Sequence, residues 1–181
     1  MNRVVALVPI KDFRAAKGRL RTELGDEATS DLARTLADMV LCALRPLPVL
    51  VVTDNEEVAE FARERGAMVH LQQRDGLNAA VAEGYLSLAG AAERVVIVHS
   101  DLAHPEGLGD FVYEDGITIW TDVDQKGTNV MCLPAGLAFT FSYGEGSASR
   151  HRAHSRELGF EPQWITDSPW AVDIDEPRNL H

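Results

Sequence analysis

Cysteine is nearly absent. The 181 residues hold two, Cys42 and Cys132, far apart and each in an apolar stretch. Such a pair offers neither a disulfide framework nor a zinc-binding spacing, so both read as reduced thiols in the interior. Basic residues are also scarce: 17 Lys and Arg stand against 28 Asp and Glu, a formal net charge of −11. That balance argues against nucleic acid and anionic membranes as main partners. No apolar run approaches the roughly 20 residues that a membrane span needs, and the chain enters a strand at once. Neither a span nor a secretory leader is expected, and a cytoplasmic protein follows. No repeat, low-complexity tract or linker interrupts the sequence, so residues 1–181 are expected to form a single domain.

Against this acidic background the few cations cluster. Val4-Val5-Ala6-Leu7-Val8 is a short apolar run rich in β-branched residues and reads as a buried strand. It breaks at Pro9 into a loop carrying Lys11, Arg14, Lys17 and Arg19 around Gly18, with the acid Asp12 among them. In open α/β sheets, ligands sit where loops leave the carboxyl ends of strands. Four cations there suggest a polyphosphate, although a solvated basic turn has the same composition.

The following segments alternate. Ser30 is placed to cap a helix reaching about Leu44, with Leu32, Leu36, Met39, Val40 and Ala43 as its apolar stripe. Residues 49–52 form a strand, and Asp54 or Asn55 caps a helix that stops at Gly66. A short strand at 68–71, a helix at 77–89 and a strand at 94–99 follow. Strands that are apolar throughout are expected when helices cover both faces of a parallel sheet, so the fold class is α/β, doubly wound, with a mostly parallel sheet. The second half is less regular. It reads as at most a short helix at 105–113, strands at 117–121 and 128–133, the latter antiparallel at an edge, an extended piece at 139–143, a helix from Ser147, and a last strand at 161–165.

Several groups carry chemistry. Asp101 follows the fourth strand directly, and Asp173 and Asp175 stand at i and i+2 in an extended segment, hence on one side of it. Carboxylates at strand ends suit Mg²⁺, which takes one or two of them with phosphate oxygens and water. A helix cap at Asp101 and a solvated turn at Asp173 and Asp175 are the plainer alternatives. Gly144-Glu145-Gly146-Ser147 before a helix offers backbone N–H groups to an anion, and Ser147 is placed to cap that helix or to donate to a phosphate. Gly127-Thr128-Asn129 opens a strand with a hydroxyl and an amide that suit a phosphate or carboxylate. Gly76-Leu77-Asn78 opens a helix, where Asn78 either caps or meets a ribose or base edge. His151 and His154 have a ligand-like spacing without a third nitrogen or sulfur ligand near in sequence, and read as a solvated helix face.

Taken in order, these pieces resemble a known family. Val8-Pro9-Ile10-Lys11 through Ala16-Lys17-Gly18-Arg19-Leu20, Asp75-Gly76-Leu77-Asn78, Ser100-Asp101-Leu102, Gly127-Thr128-Asn129, Gly144-x-Gly146-Ser147 and Asp173-Ile174-Asp175-x-Pro177 are similar to the 2-phospho-L-lactate and phosphoenolpyruvate guanylyltransferases of coenzyme F-420 biosynthesis. The resemblance spans almost the whole chain. It implies a Rossmann-like nucleotidyltransferase fold of the glycosyltransferase-A type, GTP as donor, Mg²⁺ as cofactor and pyrophosphate as leaving group. The acceptor it implies is a small phosphorylated carboxylic acid: phosphoenolpyruvate, 2-phospho-L-lactate or 3-phosphoglycerate. By this resemblance Thr128, Gly144 and Ser147 hold the acid, and Asp101, Asp173 and Asp175 lie at the metal. Lys11, Lys17 and Arg19 would then hold the triphosphate, with Arg14, Gly76 and Asn78 as nucleotide contacts. The chain departs from the family after Asp101, where Leu102-Ala103-His104-Pro105 stands in place of Leu-Pro. A nucleotidyltransferase for a sugar phosphate or the molybdenum pterin, and a non-catalytic nucleotide-binding domain, are the alternatives. The oligomeric state stays open, a homodimer included.

Overall fold

Seven strands, β1 (Val4–Pro9), β2 (Val49–Thr53), β3 (Met68–Leu71), β4 (Arg94–Val98), β5 (Thr118–Thr121), β6 (Thr128–Pro134) and β7 (Gln163–Ile165), form one sheet in the computed structural model, which describes residues 3–15 and 18–174. Their order across the sheet is β3-β2-β1-β4-β6-β5-β7. β1 runs parallel to β2 and β4, β2 to β3, and β5 to β7, whereas β6 is antiparallel to both its neighbours. All strands but β6 therefore point one way, as the continuous apolar runs predict.

Burial shows why those runs are continuous. Val5 and Leu7 of β1, with Val52, Val95 and Ile97, pack on one face against Ala80, Val81 and Tyr85 of α4 (Leu77–Ser87). The alternate residues Ala6, Val8, Val51, Val96 and Val98 pack on the other. There they meet Ala37, Val40 and Leu41 of α2 (Asp26–Ala43), and Val58 and Phe61 of α3 (Glu56–Glu64). Full burial of one such side chain contributes about 1.5–3 kcal/mol. Gly84 lets α4 lie close, because a Cβ there would collide with Val52 and Leu7.

Three local expectations, on the basic loop, the start of α2 and the place of β6, are corrected, and two that stood open, the cap of α3 and residues 105–113, are settled. The basic loop ends early, because α1 (Gly18–Leu24) begins inside it. α2 starts at Asp26, not Ser30; the Ser30 hydroxyl donates back to Asp26 O at 2.9 Å, as serines within helices do. Asn55 rather than Asp54 caps α3, its side chain accepting from Val58 N at 3.1 Å. β6 is not at an edge. Val130, Met131, Cys132 and Leu133 are all fully buried, so the strand needs cover on both sides, and β7 with its exposed Gln163 takes the edge. Residues 105–113 form turns without a helix.

Candidate active site

The carboxyl ends of β1 to β4 open on a cleft of about 500 Å³, with Lys11 and Phe13 after β1, Asp54 after β2, Gln72 after β3, Gly76 before α4, and His99 and Asp101 after β4 on its walls. Phe13 anchors the basic loop: it is 4% exposed and packs edge-to-face on Phe61 at 5.2 Å, with Arg34 over both rings. Arg21 of α1 holds the same point by donating to Phe13 O at 2.9 Å. Lys11 is thereby left exposed at the rim.

Arg14 stands elsewhere. Its backbone N–H and its Nε both donate to Asp12 Oδ1, at 2.9 and 3.4 Å, and its guanidinium also pairs with Glu57 at 3.3 Å. It is not among the residues that line the cleft, and in this conformation it is tied into the turn of its own loop. Asp12, the acid among the cations, is what holds it there. Lys17, Asp175 and the side chain of Arg19 lie outside the described residues.

Asp101 lines the cleft, and no helix follows for it to cap. Instead residues 101–103 pair with residues 172–174. Leu102 bridges Asp173 antiparallel, Ala103 N donates to Val172 O at 2.8 Å, and Ile174 N donates to Asp101 O at 3.0 Å. Two aspartates distant in sequence thus come onto neighbouring backbone segments. No cluster of three His, Cys, Asp or Glu fit to hold an ion stands among the described residues. Of the two, Asp101 lines the cleft, and its carboxylate is of the kind that Mg²⁺ takes beside substrate oxygens and water.

The other predicted residues gather at the start of β6. The register that pairs Val98 with Val130, and His99 N with Asn129 O at 3.1 Å, carries Thr128 to the sheet edge where Ser100 and Asp101 stand. There Thr128 N donates to Ser147 Oγ at 3.1 Å, and the two hydroxyls lie 3.3 Å apart. Motifs 19 residues apart thus converge. His151 of α5 (Ser147–Glu157) completes the group, its Nδ1 3.0 Å from Thr128 Oγ1 and its Nε2 accepting from Ser142 N at 2.9 Å. Thr128, Ser147 and His151 are 1%, 2% and 0% exposed. The solvated face expected for His151 is therefore wrong. Ser147, His151 and Ser155 recur every four residues and are all buried, so helical spacing was the signal that could have found it. Burial, aided by nearby Arg150, His99 and His154, pushes the His151 imidazole down to about 4 and keeps it neutral.

The glycine turn is narrower as an anion seat than its sequence suggests. Gly146, at φ 72°, takes the N-cap position, so Ser147 does not cap α5. Ser147 N donates to Gly144 O and Ala148 N to Lys126 O, both at 3.0 Å. A cation overlooked in the sequence lies here: Arg150 donates to Ser142 O at 2.9 Å and Glu145 O at 2.6 Å, beside Gly144.

A family model described as Guanylyl transferase CofC like matches residues 4–181. The chain belongs to this guanylyl transferase family. It is 32% identical to the phosphoenolpyruvate guanylyltransferase of Sphaerobacter thermophilus, over 97% of this chain and 90% of the relative. It is 27% identical to the 3-phospho-D-glycerate guanylyltransferase of Phenylobacterium zucineum, over 96% and 86% respectively. Among solved structures, a nucleotidyl transferase from Methanothermobacter thermautotroptrophicus superposes with a TM-score of 0.66 at 16% identity, covering 99% of this chain and 95% of that one. That likeness supports the nucleotidyltransferase fold.

Two predicted polar groups bond within the protein. Asn78 does not cap α4, whose N-cap is Gly76 at φ 96°. Its Oδ1 accepts from Tyr143 N at 2.6 Å and its Nδ2 donates to Tyr143 O at 3.3 Å, clamping the segment before the glycine turn onto α4. Asn129 donates to Trp170 O and Ala171 O, at 3.0 and 3.1 Å, and so holds the chain that leads to Asp173. No helix among the described residues is long and apolar enough to cross a membrane.

Proposed function

We propose that this protein transfers GMP from GTP to the phosphate of a three-carbon acid, with phosphoenolpyruvate first among acceptors, and releases pyrophosphate. The observation that carries the reading is the meeting of Lys11 and Asp101 on one cleft at the strand ends, in a chain of the guanylyl transferase family. Relatives named for phosphoenolpyruvate and for 3-phospho-D-glycerate support an acid of this size.

The chemistry asks little covalent work of the protein. An acceptor phosphate dianion is already a nucleophile, so it needs alignment with the α-phosphorus and neutralisation of charge. Lys11, Lys17 and Arg19 hold the triphosphate and offset the charge that builds on departing pyrophosphate. Asp101 and Asp173, with Asp175, would hold Mg²⁺, which when bound neutralises phosphate charge. Thr128, Gly144 and Ser147 receive the acid. A net charge of −11 supports small anions drawn to local cations, not nucleic acid or a membrane surface. The reading sets the protein in the cytoplasm, in coenzyme F-420 biosynthesis.

Pyrophosphate release from GTP and ATP, each with phosphoenolpyruvate, 2-phospho-L-lactate and 3-phosphoglycerate, tests it. Release that needs both GTP and one of these acids is expected. Release with ATP at the same rate would count against the guanylyl assignment.

A further inference from the structure

We propose that His151 is a positioning residue that sets the hydrogen-bond polarity of the Thr128–Ser147 pair, so that the pair offers a hydroxyl proton to the anionic acceptor. The inference rests on the reading that Thr128 and Ser147 lie at the acceptor end of the site.

Proton counting carries it. The backbone N–H of Ser142 can only donate, so the His151 Nε2 that it reaches at 2.9 Å bears a lone pair. A neutral imidazole has one N–H, and it must then be on Nδ1, which faces Thr128 Oγ1 at 3.0 Å. Thr128 Oγ1 is therefore an acceptor towards His151. The two hydroxyls share one contact at 3.3 Å, and only one of them donates in it. One hydroxyl hydrogen of the pair is left with no acceptor inside the group of Ser142, His151, Thr128 and Ser147.

The opposite tautomer would reverse this outcome. Nδ1 would take the Thr128 proton, Ser147 would donate to Thr128 Oγ1, and no proton would remain. The spare donor matters because the pair is almost closed to water, at 1% and 2% exposure, where an unmatched donor is costly. A phosphate or carboxylate oxygen is the partner that satisfies it. Burial keeps His151 neutral, and the cations Arg150 and the neighbours His99 and His154 act the same way.

Long-range ¹H–¹⁵N spectra of the labelled full chain at neutral pH read the tautomer directly. A proton on Nδ1 of His151 is expected, and a proton on Nε2, or on both nitrogens, would overturn the proposal. Kinetics supply the second readout. In His151→Asn the amide keeps a donor near the Nδ1 position, whereas in His151→Gln it keeps an acceptor near the Nε2 position. The Asn variant should hold the phosphoenolpyruvate KM within about 3-fold of the parent, and the Gln variant should raise it about 10-fold or more, with the GTP KM unchanged in both. Variants that behave alike, or that move the GTP KM equally, assign His151 to packing and overturn the proposal while guanylyl transfer stands. If the parent transfers GMP to none of the three acids, the functional reading fails, and the proposal with it. Should either variant fail to fold, the tautomer alone decides.

Discussion

The two halves of the sheet edge manage charge in opposite ways. After β1, the groups that face the cleft are exposed and held from behind: Lys11 stands at the rim because Phe13 and Arg21 fix the loop beneath it. At the start of β6 and α5, polar groups are buried and bonded to one another. An exposed cation can be removed with little cost to the fold. A buried hydroxyl or imidazole cannot, because its partners are left unmatched. Substitutions in the first half should therefore change substrate binding alone, and those in the second half should change binding and stability together.

Asp101→Asn, after β4 and between the two sides, should give the largest effect, and on turnover. It should keep the thermal midpoint and lower turnover by about 10²–10³-fold, the usual scale when stabilisation of transition-state charge is lost. Unchanged turnover would remove Asp101 from the chemistry.

On the second side, acid should destabilise the fold through His151. Its folded value of about 4 lies below the ordinary 6.5, so the unfolded chain binds the proton first as pH falls. The contribution is complete above pH 6.5, declines between 6.5 and about 4, and levels off below. It amounts to something on the order of 3 kcal/mol. Urea midpoints across that window should fall in the parent and fall less in His151→Gln.

Gly144 comes next, at φ 116°, where a side chain is strained whatever the space around it. Gly144→Val should cost about 1–3 kcal/mol in stability and raise the acceptor KM while sparing GTP affinity. Gly144→Ala should retain most of the stability loss, since the backbone and not the bulk is at fault. Arg14→Ala should do least. Its partners Asp12 and Glu57 are surface acids, and the GTP KM should shift by no more than about 2-fold.

The first half of the fold was legible because its strands are apolar on both faces and end in turn residues, as Val95-Val96-Ile97-Val98 before Asp101 shows. β6 was misplaced because Val130 to Leu133 signals burial without naming a neighbour, and its central slot follows from long-range pairing. α1 was hidden because it is only seven residues long and its apolar side is the single pair Leu20 and Leu24 among Gly18, Arg19 and Arg21. At the site, the motifs named Thr128 and Ser147 but not their contact, which arises only when β6 and α5 meet. His151 and Arg150 were missed because charge and polarity suggested solvent, whereas one lies wholly buried and the other holds the carbonyls of a tight turn.

The division of labour between the two halves is tested most directly by measuring both substrate KM values in Lys11→Ala and Thr128→Val side by side. Lys11→Ala should raise the GTP KM and leave that of phosphoenolpyruvate in place, while Thr128→Val should do the reverse and also lower the thermal midpoint. If both variants move the KM of the same substrate, the two halves do not hold different anions, and the account is wrong.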